Sequence, residues 1–335
     1  MKTILVTGAA GFIGHFVSER LLQRGYKVVG VDNLNDYYDP SLKEARLNRL
    51  YELDHNGRFD FYRVNLQDRP SLESIFNNQD LHGVIHLAAQ AGVRYSLSNP
   101  QAYIDSNITG FLNILECLRL HPVHLVYASS SSVYGGNRAL PFSEGQSVDR
   151  PVSLYAATKK ANELMAHTYS HLFGIPATGL RFFTVYGPWG RPDMAYFKFV
   201  KSILAGQTIE VYNHGVMQRD FTYIDDIVEG VLQAFDHPPT PEPSHGDFAF
   251  DVLPAHRVFN IGNHQAEKLT DFIATIEGAL GVKARCEFLP MQPGDVPATF
   301  ADTQALESLT GFSPSTPLHE GVSKFVLWYR EYYRV

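Results

Sequence analysis

The sequence has little cysteine, and its charges are not gathered into blocks. Only two of its 335 residues are cysteine, Cys117 and Cys286, and the first lies in an apolar helical pattern. So few cysteines do not support a disulfide framework, and we expect two buried thiols in a protein of a reducing compartment. The formal net charge is -7 without any run of like charges, which argues against a nucleic-acid groove or an anionic membrane surface as a partner.

Long apolar runs and metal-binding motifs are also missing. No segment is apolar over the length that crosses a bilayer, and the chain begins with a strand pattern instead of a signal-like leader. These features predict a cytoplasmic protein. Its 14 histidines include no His-Glu-x-x-His motif and no close cluster with cysteine, so we predict no metal site.

What the sequence does contain is a repeating alternation of strand and helix patterns. Hydrophobic residues make up 44% of the chain and charged residues 19%, which is typical of one large or two fused globular domains. Strand patterns occur at residues 3–7, 27–31, 59–64, 83–88, 124–128 and 177–182. With helical stretches between them, they predict a Rossmann-like α/β fold with a doubly wound parallel sheet.

A smaller, discontinuous C-terminal α/β lobe is predicted after residue 183. There the pattern changes to loops rich in glycine, proline and aromatic residues, with helices near 194–205 and 225–235. Residues 258–262 resemble one more strand of the first sheet. We therefore assign residues 1–183, about 220–235 and about 257–262 to the first domain, and about 184–219 and 263–335 to the second.

A glycine-rich turn follows the first predicted strand. Gly8, Gly11 and Gly14 lead into a predicted helix, where glycines allow close approach to a pyrophosphate and the helix N-terminus supplies amide groups and positive potential. Asp32 ends the second predicted strand, where its carboxylate can accept hydrogen bonds from an adenosine ribose. Because Asp32 would repel a ribose phosphate, the pattern favours NAD over NADP. The alternative is an ordinary tight turn with a surface aspartate.

A tyrosine and a lysine lie four residues apart in a predicted helix over residues 154–173. Tyr155 and Lys159 therefore share one face, one turn apart. A cation about 4 Å away at an effective dielectric of about 20 favours a phenolate by roughly 4 kcal/mol, which lowers its pKa by about three. We expect Lys159 to lower the pKa of Tyr155 in this way. An ordinary amphipathic helix is the alternative.

These motifs together resemble the extended short-chain dehydrogenase/reductase superfamily. The glycine spacing, the Tyr155/Lys159 pair and the serine run at residues 129–132 before Val-Tyr-Gly all match its pattern. The segments at 86–89, 219–226 and 259–262 look like further signatures of its nucleotide-sugar enzymes. The resemblance runs nearly from end to end.

The resemblance implies NAD as the cofactor, held mainly by residues at the ends of the strands. Asn65 and Leu66 stand where the superfamily usually has an aspartate beside adenine, and an amide can still bond the exocyclic amine. The cofactor residues implied are Gly8, Gly11, Phe12, Ile13, Gly14, Asp32, Asn33, Asn35, Asn65, Leu66, Leu87, Ala88, Ala89, Ser106, Tyr155, Lys159 and Phe183.

The resemblance also implies that Ser130, Tyr155 and Lys159 are catalytic. Aligning residues 133–135 with the superfamily pattern places the catalytic hydroxyl at Ser130 and not at Ser129 or Ser131. By analogy, the Tyr155 phenolate removes the proton of a sugar hydroxyl while hydride leaves the same carbon for NAD. Lys159 and the nicotinamide cation would lower the pKa of that phenol.

Ser132 bears on the type of reaction. Dehydratases and UDP-glucuronate decarboxylases of the superfamily carry an acid immediately before the position of Val133, and this chain has Ser132 there. Without an acid to assist at C5, oxidation and re-reduction at C4 is favoured. A 4-epimerase reacts in this way, returning hydride to the opposite face of a 4-keto sugar.

Three segments are similar to those of UDP-glucuronate 4-epimerases, at residues 91–96, 181–194 and 291–297. Thr184 stands where many relatives have asparagine, so it leaves room for a C6 carboxylate, and Arg191 is a candidate charge partner. A surface arginine beside Asp193 is the alternative. Because a 4-keto uronate loses carbon dioxide easily, we expect Thr184 and the serines at 130–132 to restrain the carboxylate.

The remaining substrate assignments concern the nucleotide. Arg219 suits the diphosphate, since a guanidinium can bind paired phosphate oxygens, and Asp295 suits the uridine ribose. Arg94 could contact substrate or cofactor, or have a structural role. The substrate residues implied are Arg94, Ser130, Tyr155, Thr184, Arg191, Arg219 and Asp295.

Two predicted helices bear on the quaternary structure. Apolar stripes on predicted helices at 102–120 and 154–173 match those that form a four-helix bundle between two subunits of the superfamily, which implies a homodimer. Burial of the stripes within one subunit is the alternative.

The competing enzyme functions are a UDP-glucose 4-epimerase and a UDP-glucuronate decarboxylase. A cofactor-sensing regulator without catalytic activity is a third alternative, and the intact catalytic residues argue against it.

Overall fold

The computed structural model describes residues 1–244 and 252–335. The strands in these residues are β1 (Thr3–Thr7), β2 (Lys27–Asp32), β3 (Phe59–Arg63), β4 (Leu81–His86), β5 (His124–Ser130), β6 (Ala177–Phe182), β7 (Thr184–Tyr186), β8 (Thr208–Val211), β9 (Gln218–Arg219), β10 (Phe221–Tyr223), β11 (Glu242–Pro243), β12 (Val252–Leu253), β13 (His256–Ile261), β14 (Glu267–Lys268), β15 (Arg285–Phe288) and β16 (Ala298–Thr299). The α-helices are α1 (Phe12–Gln23), α2 (Pro40–Leu53), α3 (Arg69–Asn78), α4 (Tyr95–Ser98), α5 (Pro100–Tyr103), α6 (Gly110–Leu120), α7 (Leu154–Phe173), α8 (Ala195–Leu204), α9 (Ile224–Asp236), α10 (Leu269–Leu280), α11 (Gln304–Thr310) and α12 (Leu318–Tyr333).

Seven strands form one parallel sheet in the order β13-β6-β5-β4-β1-β2-β3. The order reverses between β1 and β4, so the loops after these two strands diverge and leave a crevice at the carboxyl edge. Every residue of β1 is buried, as expected for a strand covered on both faces. The predicted doubly wound parallel sheet is confirmed.

Side chains alternate between two cores, one on each face of this sheet. Along β1, Ile4 and Val6 join the core that includes residues of α1, α2 and α9, whereas Leu5 joins the core that includes residues of α3, α6 and α7. Helices therefore cover both faces. The helices leave the carboxyl ends of the strands uncovered, where a site can form.

Most of the predicted elements lie where the sequence places them. The helix over residues 154–173 and the strand over residues 177–182 have the predicted bounds. The strand expected at 83–88 is β4, which ends at His86, because the chain then leaves the sheet to form a loop. The helix expected at 102–120 is divided into the end of α5, a π-helical turn, Ile104–Thr109, and α6.

Outside the seven-stranded sheet, the described residues form short sheets and an aromatic cluster. Within the described residues, β7 pairs with β10, β8 pairs with β15, and β9 lies between β14 and β16. Phe325 of α12 packs against Tyr196 and Phe197 of α8. The strand expected at 258–262 is β13, which returns to the main sheet beside β6.

The two cysteines differ in exposure. Cys117 is buried in α6, as expected, but Cys286 is exposed, so the prediction of two buried thiols is wrong for the second. Cys286 lies in β15, whose four residues are all exposed in a small two-stranded sheet. In the described part of the chain, no helix is both long and apolar enough to span a membrane.

Candidate active site

A cavity of about 410 Å³ opens at the carboxyl edge of the parallel sheet. It is lined by the glycine-rich turn after β1, the end of β2, the loop after β4, the serine run after β5 and the start of β7. All predicted site residues line this cavity except Arg94, Arg219 and Asp295.

The glycine-rich turn provides a close backbone approach at one end of the cavity. Gly8 has a φ of +72°, and a Cβ added to it would lie 2.8 Å from the amide nitrogen of Ala88. A Cβ on Gly14 would lie 2.0 Å from the carbonyl oxygen of Gly8. Helix α1 has Gly11 as its N-cap without a side-chain capping bond, so its first-turn amides are available to an anion. This arrangement fits a dinucleotide pyrophosphate.

The adenosine end of such a ligand would meet Asp32 and Lys43. The Asp32 carboxylate accepts hydrogen bonds from the amides of Leu34 (2.9 Å) and Ala10 (3.2 Å), which fixes its orientation. Lys43 donates from Nζ to the carbonyl oxygen (2.8 Å) and to Oδ1 (2.7 Å) of Asn35. Burial lowers the pKa of Lys43, and the negative charge of Asp32 opposes that shift.

Lys43 is a cavity residue that the sequence motifs did not identify. It lies on α2, and only folding brings it beside the end of β2. Ser131 and Ser132, which are predicted restraints on the carboxylate, also line the cavity. The other lining residues outside the prediction are Val31, Tyr37, Tyr38, Val64, Gln90, Ala91, Gly92, Val93, Ala128, Ser129, Phe182, Val185 and Met194.

Two neighbouring serines at the end of β5 have different partners. Ser129 donates to Oε1 of Glu163 at 2.6 Å. Ser130 hydrogen-bonds the Tyr155 side chain, and its Oγ also accepts from the amide of Ser132 at 3.1 Å. Because Glu163 engages Ser129, the geometry favours Ser130 as the hydroxyl that works with Tyr155.

Burial dominates the ionisation of Tyr155 and Lys159. It raises the pKa of Tyr155, although the hydrogen bond from Ser130 and the positive charge of Arg191 oppose that increase. Burial also lowers the pKa of Lys159 to about 8, while its Nζ donates to the carbonyl oxygen of Ala128 at 2.8 Å. The expected lowering of the Tyr155 pKa by Lys159 is therefore not found, because loss of hydration disfavours the phenolate more strongly.

A buried histidine lies beneath this pair. His86, the last residue of β4, is within 2.8 Å of Thr7 Oγ1 through its Nδ1. Burial, followed by the positive charge of Lys159, lowers the pKa of His86 to about 3. His86 is therefore neutral at physiological pH.

Arg191 is a cavity residue that already has a carboxylate partner in the structure. It lines the cavity, and it also pairs with Asp193, through Nε to Oδ1 at 3.0 Å and through Nη2 to Oδ2 at 2.5 Å. The Tyr37 hydroxyl donates to the same Oδ2 at 3.2 Å. Burial opposes ionisation of Asp193, but the charge and hydrogen bonds of Arg191 lower its pKa overall.

The three predicted residues outside the cavity lie together. Arg94 pairs with Asp295 through an Nη2–Oδ2 distance of 2.9 Å and lies 4.6 Å above the Tyr212 ring. Arg219 donates to the carbonyl oxygens of Gln218 (2.8 Å) and Pro297 (3.2 Å). Burial lowers the pKa of Arg219, while the nearby charge of Asp295 raises it and that of Arg94 lowers it.

This cluster adjoins the cavity through two loops. A Cβ on Gly294 would lie 3.1 Å from Cγ1 of Val93, which lines the cavity beside Arg94. A ligand that extends past Val93 would therefore meet Arg94 and Asp295. In residues 1–244 and 252–335, no group of three or more His, Cys, Asp or Glu side chains is placed to hold a metal ion.

Comparisons with known proteins agree with this geometry. Residues 4–262 match the NAD dependent epimerase/dehydratase family. Protein CapI of Staphylococcus aureus is 52% identical over 99% of this chain and 99% of its own length. The probable UDP-glucuronate 4-epimerase of Rhizobium meliloti is 50% identical over 98% of this chain and 97% of its own length. The structure of UDP-glucuronic acid 4-epimerase from Bacillus cereus, in complex with UDP-glucuronic acid and NAD, superposes with a TM-score of 0.88 at 33% identity, covering 99% of this chain and 100% of that one. The family prediction is confirmed, and the chain belongs to the NAD dependent epimerase/dehydratase family.

Proposed function

We propose that this protein is a UDP-glucuronate 4-epimerase, which interconverts UDP-glucuronate and UDP-galacturonate through a 4-keto intermediate. The observation that carries the proposal is the meeting of Ser130, Tyr155 and Lys159 with Thr184 and Arg191 in one cavity. The first three residues suit hydride and proton transfer at a hydroxyl-bearing carbon, and the last two suit a carboxylate. The Rhizobium meliloti relative and the Bacillus cereus structure carry names of the same activity.

The cavity residues that would hold NAD are the glycine-rich turn, the amides at the start of α1, and Asp32 with Lys43 near the adenosine. The other residues proposed for the cofactor, from Asn33 and Asn35 to Phe183, line the same cavity. When bound, NAD supplies the acceptor for the C4 hydride and returns that hydride later in the cycle. A Cβ on Gly8 or Gly14 would collide with the backbone of Ala88 or Gly8, so glycine is needed for the tight turn that leads into α1, whose first amides suit a pyrophosphate.

Tyr155 is the proposed base and acid. Its phenolate takes the proton of the C4 hydroxyl as the C4–H bond breaks, and the neutral phenol returns the proton to the ketone oxygen when a C–H bond forms on the opposite face. Ser130, whose side chain hydrogen-bonds that of Tyr155, would bond the same C4 hydroxyl and hold it against the phenol. The positive charge of Arg191 favours the phenolate against the effect of burial.

The scarcity of acidic side chains in the cavity lining favours epimerisation over the competing reactions. Among the described residues that line it, Asp32 is the only carboxylate, and it lies at the adenosine end. Ser132, which stands where dehydratases and decarboxylases of the superfamily carry an acid, also lines the cavity. No carboxylate of the lining is thus placed to assist at C5. Thr184 and the serines remain the proposed restraints on the substrate carboxylate.

The smaller lobe is the proposed holder of the nucleotide. Arg219 suits the diphosphate and Asp295 the uridine ribose, with Arg94 fixed between Asp295 and the Tyr212 ring. The proposed division keeps residues 184–219 and 263–335 in this lobe. The UDP group would then bridge the two lobes.

A homodimer in the cytoplasm is the proposed assembly and location. Helix α7 exposes large apolar side chains, including Leu164 and Leu172, and Leu112 of the adjacent α6 is also exposed. Pairing α6 and α7 with their copies would cover these side chains in a four-helix bundle. The free thiols of Cys117 and Cys286 support a reducing compartment.

Incubation of the purified protein with UDP-glucuronate and NAD, followed by NMR of the products, tests the function. We expect UDP-galacturonate, whereas UDP-pentose would indicate a decarboxylase and equal turnover of UDP-glucose would indicate a broader epimerase. Persistent absence of UDP-galacturonate would overturn the proposal. Tyr155→Phe should still bind NAD but lose nearly all turnover, and a fully active variant would contradict the role of Tyr155.

A further inference from the structure

The loop at residues 187–194, which carries Arg191, is held by the segment that follows β2. Arg46 of α2 is fully buried and donates to the carbonyl oxygens of Trp189 (2.6 Å) and Gly190 (3.2 Å). Tyr37, in the loop before α2, donates to Asp193 at 3.2 Å. The loop is thus anchored on both sides of Arg191 by one stretch of chain.

Asp193 determines which part of the Arg191 guanidinium is free. Its two carboxylate oxygens accept from Nε and Nη2 of Arg191, an arrangement that fixes the planar group in orientation. Among the hydrogen bonds of the described residues, none uses Nη1 of Arg191. Since Arg191 lines the cavity, Nη1 is available to an anionic group there.

Tyr37 in turn restrains Asp193. Its ring packs 4.8 Å from the ring of Tyr95, and a Cβ added to Gly92 would lie 2.6 Å from its hydroxyl oxygen. The hydroxyl is therefore enclosed next to Asp193. Burial, followed by the charge of Asp193, raises the pKa of Tyr37 to about 12, so the hydroxyl stays a donor at neutral pH.

We propose that Tyr37 and Asp193 are specificity-determining residues, which hold Arg191 so that its free nitrogen meets the carboxylate of a UDP-uronic acid. This inference rests on the proposed function and adds two positioning residues to it. An arginine side chain loses much rotational freedom when it is ordered by a ligand, so an arginine ordered in advance binds a carboxylate more tightly. The neutral C6 hydroxymethyl group of UDP-glucose gains little affinity from an arginine ordered in advance. The pair should therefore favour UDP-glucuronate over UDP-glucose.

Tyr37→Phe and Asp193→Asn test this inference by binding. Calorimetry on the NAD-loaded protein, with Tyr155→Phe as the background to prevent turnover, gives the dissociation constants of UDP-glucuronate and UDP-glucose. We expect the preference for UDP-glucuronate to fall by about fivefold in Tyr37→Phe and by about tenfold or more in Asp193→Asn, as hydrogen bonds to charged groups are lost. Tyr95→Phe is the matched control, because it removes a neighbouring hydroxyl that bonds Asn99 and not Asp193.

The outcomes separate this inference from the proposed function. A preference that is unchanged or increased in Tyr37→Phe would overturn the inference, as would an equal loss of preference in Tyr95→Phe. An increased preference in Asp193→Asn would show that Asp193 repels the substrate carboxylate instead of positioning Arg191. Tyr37→Phe preserves the ring and decides the matter if Asp193→Asn fails to fold. Lack of UDP-galacturonate formation by the unaltered protein would instead reject the proposed function.

Discussion

At the scale of single residues, burial sets the chemistry of the site. Tyr155 and Lys159 share one helix face and are both enclosed, so each is pushed toward its neutral form. The energetic cost of burying these groups is useful to an enzyme only if neighbouring groups stabilise the Tyr155 phenolate that the reaction needs. The hydroxyl of Ser130 and the guanidinium of Arg191 are the groups that favour the Tyr155 phenolate.

Replacement of Ser130 should move the pH dependence of the reaction. The Ser130 hydrogen bond lowers the pKa of Tyr155, so Ser130→Ala should raise that pKa and shift the rising limb of kcat/KM to higher pH. Profiles of kcat/KM for UDP-glucuronate between about pH 6 and 10 would measure the shift. Ser130→Thr keeps a hydroxyl and should leave the limb near its original position. A limb that stays in place in Ser130→Ala would contradict this role for Ser130.

Lys159 should cost stability in exchange for its function. Its pKa is about 8 in the folded protein and 10.5 ordinarily, so the folded state disfavours the proton and the cost is complete below about pH 8. Allowing for the hydrogen bond to Ala128, Lys159→Met should raise the free energy of unfolding by about 2 kcal/mol at pH 7.

Urea denaturation at two pH values measures this effect. As pH rises from about 8 to 10.5, the original protein recovers the cost, so the gain of Lys159→Met should disappear and, because the hydrogen bond to Ala128 is missing, become a loss of about 1 kcal/mol at the alkaline end. Turnover should be lost at both pH values. A variant that is less stable than the original protein at pH 7 would contradict the account.

At the scale of elements, α2 connects the cofactor end of the cavity with the substrate end. Arg46 donates to the carbonyl oxygen of Ala10 in the glycine-rich turn at 2.9 Å and to those of Trp189 and Gly190 in the loop that carries Arg191. Its Nη1 also bonds the Tyr38 hydroxyl at 2.7 Å. One buried guanidinium thus satisfies backbone groups of two distant loops.

Removal of Arg46 should therefore be costly. Arg46→Met leaves three carbonyl oxygens without this donor, and we expect the free energy of unfolding to fall by about 3–5 kcal/mol in urea titrations. Arg49→Met, one turn along α2, removes a partly exposed ion pair with Glu19 and should cost about 1 kcal/mol or less. Equal losses in the two variants would contradict the bridging role of Arg46.

The sequence predicts the elements and motifs better than the contacts between them. The bounds of α7 and β6 follow from local patterns, and so does the glycine-rich turn at the start of α1. Lys43 and Arg46 carry no such signal, because their positions in the site depend on how α2 packs. The pKa of Tyr155 likewise depends on burial, which residue spacing alone does not reveal.

At the scale of the whole molecule, separated segments combine into one site. Thr184 and Arg191 belong to parts of the chain that only the fold brings into the same cavity as the glycine-rich turn. The resemblance assigns Asp295 to the substrate and leaves Arg94 with a substrate, cofactor or structural role, but their mutual ion pair of 2.9 Å is visible only in the structure. Site residues close to a strand end can therefore be predicted from the sequence, whereas ion pairs between distant segments cannot.

The proposed dimer gives a prediction at this scale. Leu164 is 56% exposed and Leu172 is 61% exposed on α7, so Leu164→Arg combined with Leu172→Arg should place charges in the four-helix interface. Light scattering coupled to gel filtration should then report a monomer for the double variant and a dimer for the original protein. Leu327→Arg on α12, also at a 61% exposed residue, should remain dimeric. A double variant that remains dimeric, or an original protein that is monomeric, would contradict the proposed interface.

In the proposed reaction, the same hydride leaves C4 of the sugar and returns to it, without acid or base chemistry at C5. Conversion of UDP-glucuronate that carries deuterium at C4, in ordinary water and followed by NMR, tests this course of the reaction. We predict that UDP-galacturonate retains deuterium at C4, and that unlabelled substrate converted in heavy water gains none at C4 or C5. Loss of deuterium from C4, or its entry from solvent at C5, would contradict the account.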